Sequence, residues 1–275
     1  MSVFTEAVAD LAGRGLLPTT LSAAEIAALD AEIRTQAFFS ARVTQLDILT
    51  ALQSELSALV RGQSPGPGDY TNPATVRLRI KELLQELDYR PADPDDEGTI
   101  KDLRTDSRLN LIIETNEKMA TGYGQWLQST DPDVLDAFPA WEFIRVEDRI
   151  EKRDWKSRWR DAAARVGDED ADRVLRRTGR MIARKDSPLW TALSAFGIPQ
   201  APFDYNSGMD VRDLGRKEAI EVGLIQPADR LTPPQHPGLR PLASAQGKNP
   251  ALLQTLLQTL GDEYRLLPDG TLTVA

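Results

Sequence analysis

MIARKDSPLWTALSAFGIPQAPFDYNSGMD, residues 181–210, sets the terms for the whole chain. It concentrates Trp, Phe, Tyr, Pro and Gly in a protein that is only 6% aromatic. The segment is too apolar to be solvated and too interrupted by Pro and Gly to form one helix. It therefore reads as an ordered loop structure packed into a core. Within it, MIARK suggests a short strand. SPLWTALSAF (187–196) suggests a capped helix, with Ser187 as the cap and Pro188 in the first turn.

Working outward, Arg216 to Val222 reads as a short helix closed by Gly223. Upstream, residues 168–177 look helical, and residues 149–160 (RIEKRDWKSRWR) are basic and aromatic. WEFIRVED (141–148) alternates enough to read as a strand. Asp131-Pro132 opens a short turn. The clearest helix carries Leu109, Ile112, Ile113, Asn116, Met119, Tyr123, Trp126 and Leu127 at spacings of three and four.

Toward the N-terminus, Asn72-Pro73 is a helix start, and Val76, Ile80, Leu83, Leu84 and Leu87 share one face. Residues 22–61 are either one long helix or two with a break near 39–44. Ser22 with Glu25 makes a capping box, and Thr44 with Asp47 is a second start signal. SPGPG at 64–68 is a loop, and YRPADPDDEG (89–98) reads as a solvated acidic loop. Beyond 225, a Pro-rich arm (226–248) leads to a terminal helix from Asn249-Pro250. A Pro268-Asp269-Gly270 turn then suggests a small hairpin.

The net charge of -9 argues against general nucleic-acid binding by bulk charge. With no cysteine, disulfides, thiolate metal sites and cysteine nucleophiles are excluded. That fits a protein made in the cytoplasm. The single histidine, His236, lies in TPPQHPG and reads as a solvated loop residue. No run of 18 apolar residues exists, so no membrane span is expected, and the N-terminus does not read as a signal peptide.

Phosphate-loop, dinucleotide, G-x-S-x-G and H-E-x-x-H strings are all absent. DPDDEG (93–98) fails the spacing of a calcium loop. The stretch 151–185 has twelve bases against seven acids, a local net of +5 in an acidic chain. Arg153, Lys156, Arg158, Arg173, Arg176, Arg177 and Arg180 are the candidate contacts to DNA or to an acidic partner. Trp155 and Trp159, interleaved at helical spacing, could stack on bases. The alternative is a solvated helix face with its aromatics turned into the core. A hydrolase or transferase using Asp148 or Glu147 with Arg149 and Arg153 is a further option, though no nucleophile or metal accompanies them.

Five ordered blocks carry a family resemblance. They are FFSARVTQLDIL (38–49), EGTIKDLRTDSRLNLIIETNEKMATGYGQW (97–126), EDRIEKRDWKSRW (147–159), MIARKDSPLW (181–190) and APFDYNSGMDVRDLGRKEAIEVGLI (201–225). Together they resemble phage head morphogenesis proteins, the minor head proteins of the phage Mu F type, over roughly residues 35–225. The resemblance implies a low-copy virion or procapsid protein at the portal vertex, made in the bacterial cytoplasm. Such a protein assists head assembly and DNA packaging or retention, and is not primarily an enzyme. Its implied partners are the portal protein or major capsid protein, with DNA as a further possibility and no membrane. No cofactor is implied. The structural core of the blocks would be Asn116, Trp126, Asp148, Arg149, Trp155, Trp159, Trp190, Phe203, Asp204, Ser207 and Gly208. Many relatives carry a histidine after a D-x-R element. Here EDRIEKRDWKSRW has Trp155 and Trp159 instead, so no histidine role carries over.

The expected fold is α+β and predominantly α-helical, with long amphipathic N-terminal helices and a mixed core with a small β element. The expected organisation is a helical region at 1–100, a minor-head-protein-like core at 101–225, and the arm, helix and hairpin at 226–275. A DNA-binding prophage protein is the alternative to the minor head reading.

Overall fold

The computed structural model describes residues 5–29, 37–38, 40–62, 72–149, 153–234, 244–246, 254, 257, 264–268 and 271–274. The fold is α+β and about 51% helical, with a small three-stranded antiparallel sheet. It divides into two compact units, residues 1–121 with 237–275, and residues 122–236. The division falls inside a helix, and residue 100 lies within the first unit.

The first unit opens with α1 (Thr5–Gly13), β1 (Gly15–Leu16) and α2 (Ala23–Ala27). The capping box is formed: the Ser22 hydroxyl accepts from the Glu25 N–H, and the Glu25 carboxylate accepts from Ser22 N–H. β2 (Ala37–Phe38) pairs in parallel with β1. The break precedes α3 (Leu46–Arg61), so residues 22–61 are not one helix. The cap position of α3 is Gln45, without a side-chain bond, so Thr44 does not serve as the start. α4 (Pro73–Glu86) begins as its sequence indicates: the Asn72 side-chain Oδ1 accepts from Ala74 and Thr75 N–H. α5 (Asp106–Ser129) is the longest helix. Ile48, Leu49, Leu52 and Leu56 of α3 pack with Val76, Ile80 and Leu84 of α4 and Leu109, Ile112 and Ile113 of α5. Each such side chain, fully removed from water, contributes roughly 1.5–3 kcal/mol. Leu87, placed on the same face by its spacing, is exposed instead, because α4 has ended.

The acidic segment 89–98 is largely exposed, as expected of a solvated loop, but Asp96 within it is buried. Asp93 caps a short 3-10 turn, Pro94–Asp96. Asp96 and Asp102 are 4% and 2% exposed, and both are neutralised. Asp96 accepts from Arg42 at 2.5 Å and from Lys101 at 2.9 Å. Asp102 accepts from the Arg104 side chain at 2.8 Å and from Gly98 and Arg104 N–H, both at 2.9 Å. Carboxylates enter a protein interior only when paired in this way.

In the second unit, α6 (Pro132–Ala137) stands where a turn was expected, with Asp131 accepting from Asp133 N–H as its cap. Next come β3 (Ala140–Arg145), α7 (Trp155–Val166), α8 (Glu169–Thr178), β4 (Ile182–Arg184), α9 (Leu189–Leu193), β5 (Met209–Leu214) and α10 (Arg216–Glu221). The sheet order is β4-β3-β5, antiparallel throughout, with Trp141 opposite both Ala183 and Asp213. β5 was not anticipated from the sequence. α9 is shorter than the segment 187–196, and Ser187 contributes by accepting from Leu189 N–H.

The period-2 geometry of β3 divides its side chains between two faces. Ala140 joins an aliphatic cluster with Val174 of α8, Ile182, Leu214 and Ala219 of α10. Trp141 and Phe143, on the opposite face, enter an aromatic cluster. Separately, β6 (Ser244–Gln246), β7 (Tyr264–Leu266) and β8 (Thr271–Val274) form a sheet in the order β6-β8-β7. The β7–β8 pairing realises the expected hairpin. SPGPG, His236, about half of the arm and nearly all of the terminal helix lie outside the described residues.

Candidate functional site

The segment 181–210 folds around aromatic contacts. Phe143 lies 5.0 Å from Phe203 and 5.1 Å from Trp155, both edge-on. Trp190 meets Trp159 at 5.4 Å and Trp141 at 5.5 Å, also edge-on. Such geometries add roughly 0.5–1.5 kcal/mol per pair beyond area burial. Trp190 is anchored by its indole N–H, which donates to the Arg184 carbonyl at 2.8 Å. Blocks 147–159, 181–190 and 201–225 therefore meet in one place.

The burial of Trp155 and Trp159, at 3% and 0% exposed, decides a question left open by the sequence. Neither ring is available to stack on a base. The aromatics are turned into the core, and Lys156, Arg158, Arg160 and Arg165 of α7 lie at the surface. Asp154 caps α7 by accepting from Ser157 N–H.

Over the cluster lies a polar rim. Arg158 donates to Asp204 at 2.7 Å and sits 4.9 Å above the Trp155 ring. Arg153 approaches the same carboxylate at 3.4 Å and donates to the Tyr205 carbonyl at 2.8 Å. Arg149 pairs with Glu147. Ser207 is buried, and its hydroxyl accepts from Met209 N–H. Gly208 accepts from Val146 and Glu147 N–H, which ties the end of β3 to the loop before β5. Asp148 and Lys156 are exposed.

The α8 arginines form a second group. Arg173 pairs with Asp170 and donates to the Gly223 carbonyl. Arg176 pairs with Asp172, and Arg177 donates to the Glu221 carbonyl. Arg180 grips Glu142 at 2.7 and 2.8 Å and Glu218 at 2.8 Å. Arg212 shares Glu142 at 2.5 Å. The Arg180 hydrogen bonds hold the Glu142 carboxyl below its usual range; burial opposes them and Arg212 assists. Arg180 is thus a fold-holding residue, and reversing its charge would break a network rather than a surface.

Lys185 also leaves the surface count. Its side chain is wholly buried, with Nζ 2.6 Å from Asp213 and 3.1 Å from the Ser129 carbonyl. Burial pushes the ammonium pKa down, and the Asp213 pair opposes that. Trp141 donates to the same carboxylate at 3.0 Å. Sequence reasoning missed Glu142, Arg212 and Asp213 because their partners are 28 to 72 residues away. The one available signal was a charged residue, Glu142, inside an apolar strand.

Of the remaining block residues, Asn116 donates to the Ile112 carbonyl at 2.9 Å, a local helix bond. Trp126 is buried and stacks on Tyr123 at 6.3 Å. Among the described residues, no group of three or more His, Cys, Asp or Glu is placed to hold a metal ion. Among them too, no helix is long and apolar enough to cross a membrane.

No protein-family model matches the chain, no curated protein matches it, and no solved structure matches it.

Proposed function

We propose that this chain is a phage or prophage minor head protein that binds the portal or capsid and assists head assembly and DNA packaging or retention. The supporting observation is the convergence of three sequence blocks on one aromatic cluster, with Phe143, Trp155, Trp159, Trp190 and Phe203 in mutual contact. In this reading the protein acts through surfaces in the virion and performs no catalysis. The partner is the portal or major capsid protein. DNA, if touched, is touched through phosphate charge alone, because the tryptophans are buried.

The structure narrows which charges can serve the partner. Lys156 is exposed, and the Arg176 side chain is 67% exposed, with a helical pair to Asp172 among the described residues. A surface pair of that kind is worth about 0–1 kcal/mol, so reversal leaves the fold intact. The double variant Lys156→Glu, Arg176→Glu is expected to lower capture by immobilised portal protein several-fold, with an unchanged unfolding midpoint. Full capture by the folded double variant would remove these residues from the interface.

A further inference from the structure

The Pro-rich arm begins docked on the second unit. Its first residues, Gln226 to Asp229, close a turn with Pro227 at the second position, where the fixed φ of proline favours turning. Asp229 N–H donates to the Gln226 carbonyl at 3.1 Å, and Gln226 N–H donates to the Asp229 carboxylate at 2.8 Å. The turn is locked at both ends by its own atoms, and Leu231 follows it.

Arg216, at the start of α10, clasps this turn to α6. Its Nε donates to the Asp136 carbonyl at 2.7 Å, and its Nη2 to the Asp136 carboxylate at 2.9 Å. Its Nη1 donates to the Asp229 carbonyl at 3.1 Å. One planar guanidinium thus spans helix and turn together, which an ammonium could not do. The Asp136 carbonyl lies in the last turn of α6, where carbonyls lack partners along the helix. Arg230 adds an approach of 3.4 Å to the same carboxylate. Below this clasp, Leu231 packs half-buried against the aliphatic cluster that contains Ala140, Val174, Leu214 and Ala219.

We propose that residues 226–231 form a strap that closes over the edge of the aliphatic layer and opens on its own, without unfolding of the unit beneath. The hold is peripheral. Gln226, Pro227, Ala228 and Arg230 are exposed, and the Arg230–Asp136 pair joins side chains that are 68% and 53% exposed. Pairs of that kind are weak and screened by salt. The strap has Leu231 as its apolar anchor, whereas β3 beneath it pairs with β5 over six residues and packs on both faces. Segments with few buried apolar contacts open locally at a lower free energy than the whole. The turn keeps its shape through its own hydrogen bonds, so it recloses as one piece. This inference is independent of the minor head reading.

Hydrogen exchange of the full chain, resolved at single amides by NMR, tests it. The strap is read at Gln226 and Asp229 N–H. The sheet is read at Phe143 N–H, which donates to the Met181 carbonyl at 2.8 Å. Protection of the strap amides is expected to be at least about tenfold below that of Phe143, yet well above that of an unfolded chain. Arg216→Gln should lower strap protection about tenfold further and leave Phe143 unchanged. Lys217→Gln, at the neighbouring side chain that is 92% exposed, should alter neither. If Arg216→Gln unfolds the chain, Leu231→Ala carries the test, because it trims a half-buried side chain and should loosen the strap alone. Strap amides as protected as Phe143 would show that the segment opens only with the whole unit. Strap amides as unprotected as an unfolded chain would show that it is not closed. Either result would overturn the proposal.

Discussion

Gly208 and Gly122 show how single residues fix the second unit. Gly208 has a φ of 65°, and a Cβ there would lie 2.3 Å from the Glu147 carbonyl oxygen. Gly208→Ala therefore combines a conformational penalty with a backbone clash, and should cost about 1–3 kcal/mol in urea unfolding. Gly122 is the sharper case because propensity and packing disagree. A glycine inside a helix replaced by alanine normally gains roughly 1 kcal/mol. Here the added Cβ would sit 2.0 Å from the Ala201 carbonyl oxygen, so the clash wins and the variant is less stable. A stabilised Gly122→Ala protein would contradict that close approach.

Asp102 makes a prediction with a pH sign. Burial, the largest influence, pushes its carboxyl pKa up. The Arg104 side chain and the Gly98 and Arg104 N–H groups together outweigh it, and the value falls from 3.8 to about 2. A folded-state pKa below the unfolded one gives stability that is present above the unfolded value. That stability is lost as pH falls from about 4 through about 2. Asp102→Asn should lower stability near neutral pH by about 1–2 kcal/mol. Its deficit relative to the parent should shrink over that acid window, as chemical unfolding at a series of pH values would reveal.

Among the elements, local signals were legible where the chain satisfies itself. The Ser22–Glu25 box, the Asn72 cap with Pro73 and the α5 periodicity each involve residues a few positions apart. What stayed hidden depends on distant partners. β5, read as MDVRDL, has an exposed Arg212 and Asp213 and lacks clean alternation. It is a strand because β3 pairs with it over six residues. The aromatic stretch revealed that 181–210 is ordered, but the spacing of Trp155 and Trp159 left both a nucleic-acid face and a core position open, and their contacts with Phe143 and Trp190 place them in the core. Within the acidic loop 89–98, the burial of Asp96 stayed hidden because its partner Arg42 is 54 residues away. Between β3, α8, β5 and α10, Glu142 is the shared acceptor of Arg180 and Arg212. Glu142→Gln should cost about 2–3 kcal/mol, since two arginines lose a buried carboxylate. A thermal midpoint unchanged by that substitution would show the network to be idle.

At the scale of the whole molecule, each of the two units is organised around its own packed core. The first unit has a helical core, and the second packs a small sheet between an aliphatic and an aromatic layer. The arginine-rich stretch that stood out in the sequence is mostly committed to internal ion pairs, which confines any partner contact to the exposed remainder. The most direct test of the minor head reading is co-expression of this chain with the portal protein of the same genome, followed by size-exclusion chromatography with light scattering. The account predicts a stable complex of defined stoichiometry. A well-folded chain that elutes alone, in the presence of intact portal rings and of major capsid protein, would contradict it.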